Sequence, residues 1–183
     1  MPGVAPVMYV FLKADLAAPI TPTGCDYSAL SAASFKSGKG LYRIDLKPDA
    51  NGVRGENNGP RNGFTQTLEA VHDQVNSASS EIARAFNNND YGVIIPENDG
   101  TKAQIMYDAK RRIEAAQGGI TTDTGKAVGD DRVTSITLAL SGQKYPNFYI
   151  ETPTGGWDSL LASAQEQEEE EEEEEQGGGG VSA

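Results

Sequence analysis

The chain has 183 residues, and its 27 acidic against 15 basic side chains give a formal net charge of −12. The excess lies at one end, because Glu166 and Glu168–Glu175 supply nine carboxylates while no Lys or Arg follows Lys144. A nearly neutral body with an acidic tail argues against a nucleic-acid reader, which needs a basic face to displace counterions from phosphate.

The cysteine and histidine content excludes several kinds of site. Cys25 is the only cysteine, so the chain forms no internal disulfide, and His72 is the only histidine, so there is no histidine-rich metal site. We therefore expect no catalytic relay, no cofactor and no enzyme activity. A carboxylate calcium site stays open as an alternative, although none of the candidates has the spacing of a calcium loop. The candidates are Asp49 with Asn51 and Glu56, Glu97 with Asp99, and Asp123 with Asp130 and Asp131.

The first apolar run is a strand rather than a targeting signal. Residues Val7–Leu12 are too few for a membrane helix and lack the basic flank of a secretory signal. The sequence thus predicts a soluble chain that is made in the cytoplasm. We assign residues 1–40 to an N-terminal strand and arm that precede a core over residues 41–151.

The first half of the core is predicted to be a strand, a long loop and a second strand. Residues 41–47 alternate, so that Tyr42, Ile44 and Leu46 face inward. Residues 49–63 carry four Gly, four Asn and one Pro, and this composition predicts a polar loop without regular structure. Residues 64–75 then have the composition of a long strand.

A helix and a hairpin follow. Ser79 and Ser80 are candidate caps for a short helix whose apolar stripe includes Ile82 and Phe86. The strands predicted at 91–96 and 101–108 flank Asp99-Gly100, which is a strong hairpin signal.

The last part of the core is predicted to contain three strands and a second loop. A strand at 111–117 ends at two glycines, and a polar loop covers residues 120–131. The alternation over 133–141 turns Ile136, Leu138 and Leu140 inward, and a last strand is expected at 148–150. Residues 152–165 form a linker and short helix, and residues 166–183 form an acidic tail that is expected to be disordered.

This order of elements does not alternate strand and helix, so it argues against a parallel sheet. It predicts a mainly β fold: an antiparallel β-sandwich or barrel with one short helix packed at its side. The predicted core residues are Tyr42, Ile44, Leu46, Ile82, Phe86, Ile136, Leu138 and Leu140.

The segment from residue 41 to residue 140 resembles the core of phage tail tube proteins and the related tubes of contractile injection systems. The resemblance is carried by the order LYRIDL, a polar loop, FTQTLEAVHDQV, the helix SSEIARAF, the hairpin YGVIIPENDGTKAQIMYD, GGITTDTGKAVGDD and RVTSITLAL. It covers about 100 residues and rests on no single diagnostic motif. The N-terminal segment and the glutamate run match no part of that pattern.

The resemblance implies a virion protein whose hexameric rings stack into a tube that passes DNA without reading its sequence. The long loop then contacts the neighbouring ring through Asn51, Arg54, Glu56 and Arg61. The implied partners are other copies of the chain and other phage tail proteins. A barrel closed across subunits also removes exposed sheet edges.

Other readings of the same sequence stay open. The chain is alternatively another self-assembling phage component, such as a head decoration or tail terminator protein. A carbohydrate-binding or adhesin module is a further alternative, and an exposed row of aromatic side chains would support it. Tyr42, Tyr107, Tyr145, Phe148 and Trp157 are the candidates for such a row. The acidic tail is either a solvated spacer or a ligand for a basic surface.

Overall fold

A computed structural model describes residues 3–125 and 132–162. Within these residues the protein is mainly β, with 45% strand and 14% helix of all kinds, and it forms two sheets and one α-helix. Neither sheet is closed into a barrel. The strands in chain order are β1 (Val7–Leu12), β2 (Asp26–Tyr27), β3 (Tyr42–Asp45), β4 (Gly52–Asn57), β5 (Phe64–His72), β6 (Tyr91–Pro96), β7 (Lys102–Met106), β8 (Glu114–Asp123), β9 (Val133–Gln143) and β10 (Phe148–Glu151), and the helix α1 (Ser77–Asn88) lies between β5 and β6.

The larger sheet has six strands in the order β2-β10-β7-β6-β1-β3. All its neighbouring pairs are antiparallel except β10 with β2. The smaller sheet has four strands, all antiparallel, in the order β4-β5-β9-β8. Short 3-10 helices occur at Lys13–Asp15, Ala32–Ser34 and Trp157–Leu160. The helices in the described part of the chain are too short and too polar to span a bilayer.

One apolar cluster joins the two sheets and the helix. Its members come from β1, β3, β6 and β7 of the large sheet, from β5 and β9 of the small sheet, and from α1. Ile44, Leu46, Phe86, Ile136, Leu138 and Leu140 are buried in it, and the half-buried Ile82 packs against it. The alternation in β9 places every second side chain in this cluster, as the sequence pattern predicts.

A second apolar cluster covers the opposite face of the large sheet. The segment between β1 and β3 and the segment after β10 supply Tyr27, Leu30, Phe35, Trp157 and Leu160. Strand β6 therefore lies between two layers, and all six of its residues are buried. Side chains on both faces of β6 must be apolar for this reason, which explains its unbroken YGVIIP composition.

The predicted loop at 49–63 is wrong over six of its 15 residues, because residues 52–57 form β4. This strand pairs with β5 from Gly52 opposite Glu69 to Asn57 opposite Phe64. Gly and Asn have poor strand propensity, but the pairing with β5 supplies a hydrogen-bonding partner that the local composition does not reveal. The remaining turn at residues 58–63 joins the two strands.

The prediction that Tyr42 packs in the core is also wrong. Its side chain is 45% exposed, which makes it an exposed large hydrophobic residue at the first position of β3. It shares the inward face with Ile44, as the alternation predicts, but β3 is the last strand of its sheet. The helix α1 approaches this corner without closing over it, so the ring stays accessible.

Three further boundaries differ from those predicted. Strand β1 belongs to the centre of the large sheet, between β6 and β3, so the strand at the start of the chain is part of the core. Strand β8 continues through Gly118 and Gly119, with a shift in its register against β9 between Ala115 and Ile120. The predicted loop at 120–131 therefore begins after Asp123, and residues 126–131 lie outside the described residues. The predicted acidic tail, residues 166–183, also lies outside them.

Candidate assembly surface

The predicted assembly residues lie on or beside the edge strand β4. Arg54 and Glu56 are two residues apart, so they share one face of the strand. The Arg54 Nε lies 3.2 Å from the Glu56 Oε1, and both side chains are more than half exposed. Because such exposed pairs contribute little to stability, these two charges remain available to a partner surface.

The turn that joins β4 to β5 is ordered by its own asparagines. The Asn57 side chain accepts a hydrogen bond from the Gly59 amide at 2.8 Å, and the Asn58 side chain donates to the Thr65 hydroxyl at 2.8 Å. Arg61 is exposed in this turn and has a φ of 68°, an angle that the tight turn imposes on a residue other than glycine. The turn thus presents Arg61 on a fixed backbone at the end of the β4–β5 hairpin.

Asn51 has a different place from the one predicted. Its amide nitrogen donates to the Lys47 carbonyl at 2.7 Å, and its amide oxygen accepts from the Val71 amide at 3.0 Å. The half-buried side chain therefore ties the segment after β3 to strand β5. Asn51 positions β4 within the chain rather than presenting an open contact, and of the four predicted residues only Arg54, Glu56 and Arg61 are exposed.

The backbone of β4 has one paired and one open side. The Asn58 amide donates to the Gly63 carbonyl at 3.0 Å, which makes these two residues a hydrogen-bonded pair. Hydrogen-bonded positions alternate along an antiparallel ladder, so Glu56 and Arg54 also bond to β5. The N–H and C=O groups of Val53, Gly55 and Asn57 consequently point to the open side.

The two sheets differ in how their edges are covered. In the small sheet, β4 and β8 have a strand on one side only among residues 3–125 and 132–162. In the large sheet, β2 has only two residues, and the start of β3 pairs with the segment after the last 3-10 helix. The Leu41 amide donates to Leu160 at 2.7 Å and the Ala162 amide donates to Leu41 at 3.2 Å. The open edges that could add strands from another chain are thus those of the small sheet.

The outer face of the small sheet is polar and carries few charges. Strands β5 and β9 contribute half-buried hydroxyl and small side chains, and Thr65 bonds to Ser141 at 3.2 Å across the two strands. The charged side chains on this face in the described residues are Arg54, Glu56, Glu69, Glu114 and Asp123. The uncharged positions are Thr65, Thr67, Val71, Thr121, Ser135, Thr137, Ala139 and Ser141.

A row of exposed aromatic side chains is not present in the described residues. Among the five candidates, Tyr42 is the one with an exposed ring, whereas Tyr107, Phe148 and Trp157 are buried. Tyr145 is half-buried and meets Phe148 edge to face at a centroid distance of 5.7 Å. The rings of Tyr107, Tyr145, Phe148 and Trp157 pack in or against the second apolar cluster.

The described residues contain no group of three or more His, Cys, Asp and Glu side chains that could hold a metal ion. The Asp99 carboxylate accepts from the amide and the hydroxyl of Thr101, both at 3.0 Å, as in an ordinary turn. The His72 Nδ1 lies 2.7 Å from the Asp45 carbonyl and helps to join β5 to the end of β3. Asp130 and Asp131, two of the calcium candidates, lie outside the described residues.

An apolar groove beside α1 is a further feature that the sequence pattern did not indicate. It measures about 390 Å³ and is lined by Tyr42, Ile44, Ile82, Phe86 and other side chains of β1 and α1. The signal available in the sequence was the short apolar stripe of the helix, which is too narrow to cover both sheets.

Comparisons with protein-family models, curated proteins and solved structures returned no match.

Proposed function

We propose that this chain is a structural subunit of a phage-type tail tube, which assembles into rings that stack around a channel for DNA. The proposal includes manufacture in the host cytoplasm, incorporation into a virion and no catalytic role. The observation that carries it is the construction of the small sheet, which has four antiparallel strands and two open edges. The resemblance of residues 41–140 to tail tube cores supports the same function.

An even number of antiparallel strands suits head-to-tail assembly. Strand directions alternate across β4, β5, β9 and β8, so β4 and β8 run in opposite directions. When β8 of one copy lies beside β4 of the next, the new pair is again antiparallel. Repetition of this contact around an axis gives a continuous closed sheet, and closure removes every open edge.

In this proposal each subunit is a sandwich of its two sheets, and the small sheets of six subunits form one barrel. The face of the small sheet that points away from the large sheet then lines the channel. This face has one arginine against four carboxylates at its charged positions, and most of its other positions are hydroxyl or small side chains. A surface of this kind does not retain phosphate, which suits a channel through which DNA slides.

The proposed contact between rings is the end of the β4–β5 hairpin. Arg54, Glu56 and Arg61 are exposed there and carry both signs of charge. Charges of both signs on a fixed turn favour pairing with the opposite end of a subunit in the next ring. Replacement of residues 59–62 by a two-residue Asn-Gly turn should keep the pairing of Asn58 with Gly63, remove Arg61 and reduce the length of tubes seen by electron microscopy.

The contact between neighbouring subunits is tested by a proline on the open side of β4. Val53→Pro removes an N–H that points away from β5, so it leaves the β4–β5 ladder intact and blocks pairing with a second chain. Val53→Ala is the matched control, because it also loses the apolar side chain but keeps the N–H. We expect Val53→Pro to be a folded monomer and Val53→Ala to assemble. Tubes of Val53→Pro as abundant as those of the unchanged protein would overturn the proposal.

A further inference from the structure

Six cationic side chains lie at one end of the large sheet. They follow β1, precede β3 and follow β7, and we call them the basic end: Lys13, Lys36, Lys39, Lys110, Arg111 and Arg112. They are six of the 15 Lys and Arg residues in the chain. The sheet register explains their proximity, because Leu12 is opposite Tyr91 and Val93 is opposite Met106.

Backbone and side-chain bonds hold the three segments of the basic end together. The Lys13 amide donates to the Asp90 carbonyl at 2.8 Å, and the Lys13 Nζ donates to the Arg111 carbonyl. The Lys36 Nζ donates to the Ala14 carbonyl at 2.7 Å. These amines bond to neutral carbonyl oxygens, so their charge is not cancelled by these contacts.

The carboxylates at this end are already engaged or buried. Asp90 forms an ion pair with Arg112, and Asp15 is buried. Asp108 accepts the amides of Lys110 and Arg111 at 2.8 and 2.9 Å. Burial alone raises the pKa of Asp108, but the bonds from these amides outweigh it and hold the pKa below its usual value. Three carboxylates therefore face six cations, and the end keeps a positive charge.

The described chain ends beside this surface. Ala162 bonds to Leu41, and its backbone lies so close to Gly40 that a side-chain carbon at position 40 would approach the Ala162 nitrogen to 2.9 Å. Gly40 precedes β3 and lies at the same end of the sheet as Lys13, since Val10 is opposite Tyr42. The last described residue therefore lies at the end of the large sheet that carries the cations.

The distance from Ala162 to the cations that follow β7 is within the reach of the chain that follows Ala162. Strand β7 is three positions from β3 in the sheet, which is about 15 Å at the usual strand spacing. The six residue steps from Ala162 to Glu168 can span at most about 20–22 Å. Tethering at such a distance gives a local concentration on the order of millimolar, which favours contact within one chain over contact between chains.

We propose that the glutamates at 166 and 168–175 bind in cis to the basic end of the same subunit. Nine carboxylates meet six cations, so the contact neutralises that end and is held by charge rather than by apolar burial. The acidic segment then has a defined place on the subunit, at the exit beside β3. This inference needs no ring or tube, so it stands or falls independently of the proposed function.

The test is a carbodiimide cross-link in the full chain, which joins a glutamate to a nearby lysine amine. Trypsin cleaves after Lys144, and no Lys or Arg follows it, so residues 145–183 form one peptide that mass spectrometry recognises easily. At low salt we expect the glutamates at 166 and 168–175, assigned by fragmentation of this peptide, to link to Lys13, Lys36 and Lys110 rather than to Lys47 and Lys102 at the opposite end. Links from Glu151 to Lys102 are not counted, because these two residues are neighbours in the sheet. Sodium chloride at about 0.5 M should lower the yield roughly fivefold, because the screening length falls well below 10 Å.

Two variants and an isotope mixture decide the outcome. Lys110→Gln and Arg112→Gln should each lower the yield of links to Lys13 and leave the unfolding temperature nearly the same. Arg54→Gln is the control and should leave the link yield unchanged. A mixture of ¹⁴N and ¹⁵N protein should give links within one isotope. The proposal would be overturned if the link yield did not change with salt or in Lys110→Gln. It would also be overturned if the acidic run linked mainly to Lys47 or Lys102, or if the links joined ¹⁴N to ¹⁵N chains.

Discussion

Gly55 has a steric role that Gly52, on the same edge strand, does not have. A side-chain carbon at position 55 would lie 2.3 Å from the Pro146 carbonyl oxygen, whereas one at position 52 has no neighbour within 4 Å. The segment between β9 and β10 therefore passes directly beneath β4, and only glycine allows this approach. Gly55→Ala should lower the free energy of unfolding by about 1–3 kcal/mol, as overpacking does.

Gly52→Ala is the matched control for this substitution. It adds the same methyl group to the same strand in open space, so we expect a change within about 0.5 kcal/mol. Urea unfolding followed by circular dichroism measures both variants. Equal stability of the two alanine variants would show that Pro146 moves away freely and that the close packing under β4 has no energetic importance.

Tyr9 gives the protein a dependence on alkaline pH. Burial raises its pKa to about 12 from an ordinary 10.0, and the hydrogen bond that its hydroxyl donates to Asp158 adds to the shift. Because the pKa of Tyr9 is higher in the folded than in the unfolded state, its neutral hydroxyl contributes fully to the free energy of unfolding below pH 10.0. This contribution is lost as pH rises through about 12. We expect the free energy of unfolding to fall over this interval.

Tyr9→Phe isolates this contribution. The variant keeps the ring that packs 5.9 Å from Trp157 but has no hydroxyl to ionise. Its stability should therefore fall less steeply between pH 10 and pH 12, although the buried Tyr91, with a pKa raised to about 12, still titrates there. Urea midpoints at several pH values measure the slope, and identical slopes for both proteins would contradict the assignment.

At the scale of elements, α1 is attached to the core by one aromatic side chain. Phe86 is 8% exposed and meets Tyr91 edge to face at a centroid distance of 4.6 Å. Phe86→Ala should cost about 3–5 kcal/mol, because it leaves a cavity beneath the helix. Asn87→Ala, on the exposed side of α1, should be nearly neutral in the same thermal unfolding measurement. A nearly neutral Phe86→Ala would mean that the helix is not held through this contact.

The elements that sequence reasoning predicted correctly are those with a strong local pattern. Strand β9 alternates over its length, and Asp99-Gly100 marks the tight turn between β6 and β7. The sequence does not predict strand β4, because its GVRGEN composition disfavours a strand. The segment is extended because it forms backbone hydrogen bonds with the neighbouring β5. Tyr42 was misplaced because alternation gives the direction of a side chain and not whether another layer covers it.

The candidate assembly site was predictable only in part for a similar reason. The charge and exposure of Arg54, Glu56 and Arg61 agree with a surface segment of polar composition. The bonds of Asn51 to Lys47 and Val71 are contacts between segments that local sequence does not reveal. The order β4-β5-β9-β8 depends on pairing between residues that are more than 60 positions apart, such as Gln66 with Leu140. The two open edges therefore became visible only in the structure.

At the scale of the whole molecule, the charge is divided between a balanced body and the nine carboxylates near the end of the chain. A net charge of −12 on a packed subunit would resist close stacking, whereas a body with similar numbers of both signs does not. The tube proposal therefore places the acidic segment at a solvent-accessible surface of the ring, because unpaired carboxylates cannot be buried at an interface.

The central claim is that the open edges of the small sheet join neighbouring copies into a closed ring. Negative-stain electron microscopy of the purified full chain, over a range of protein and salt concentrations, tests it most directly. We expect six-fold rings with a central channel, and stacked tubes at higher concentration. A strictly monomeric protein at millimolar concentration in both low and high salt would contradict it.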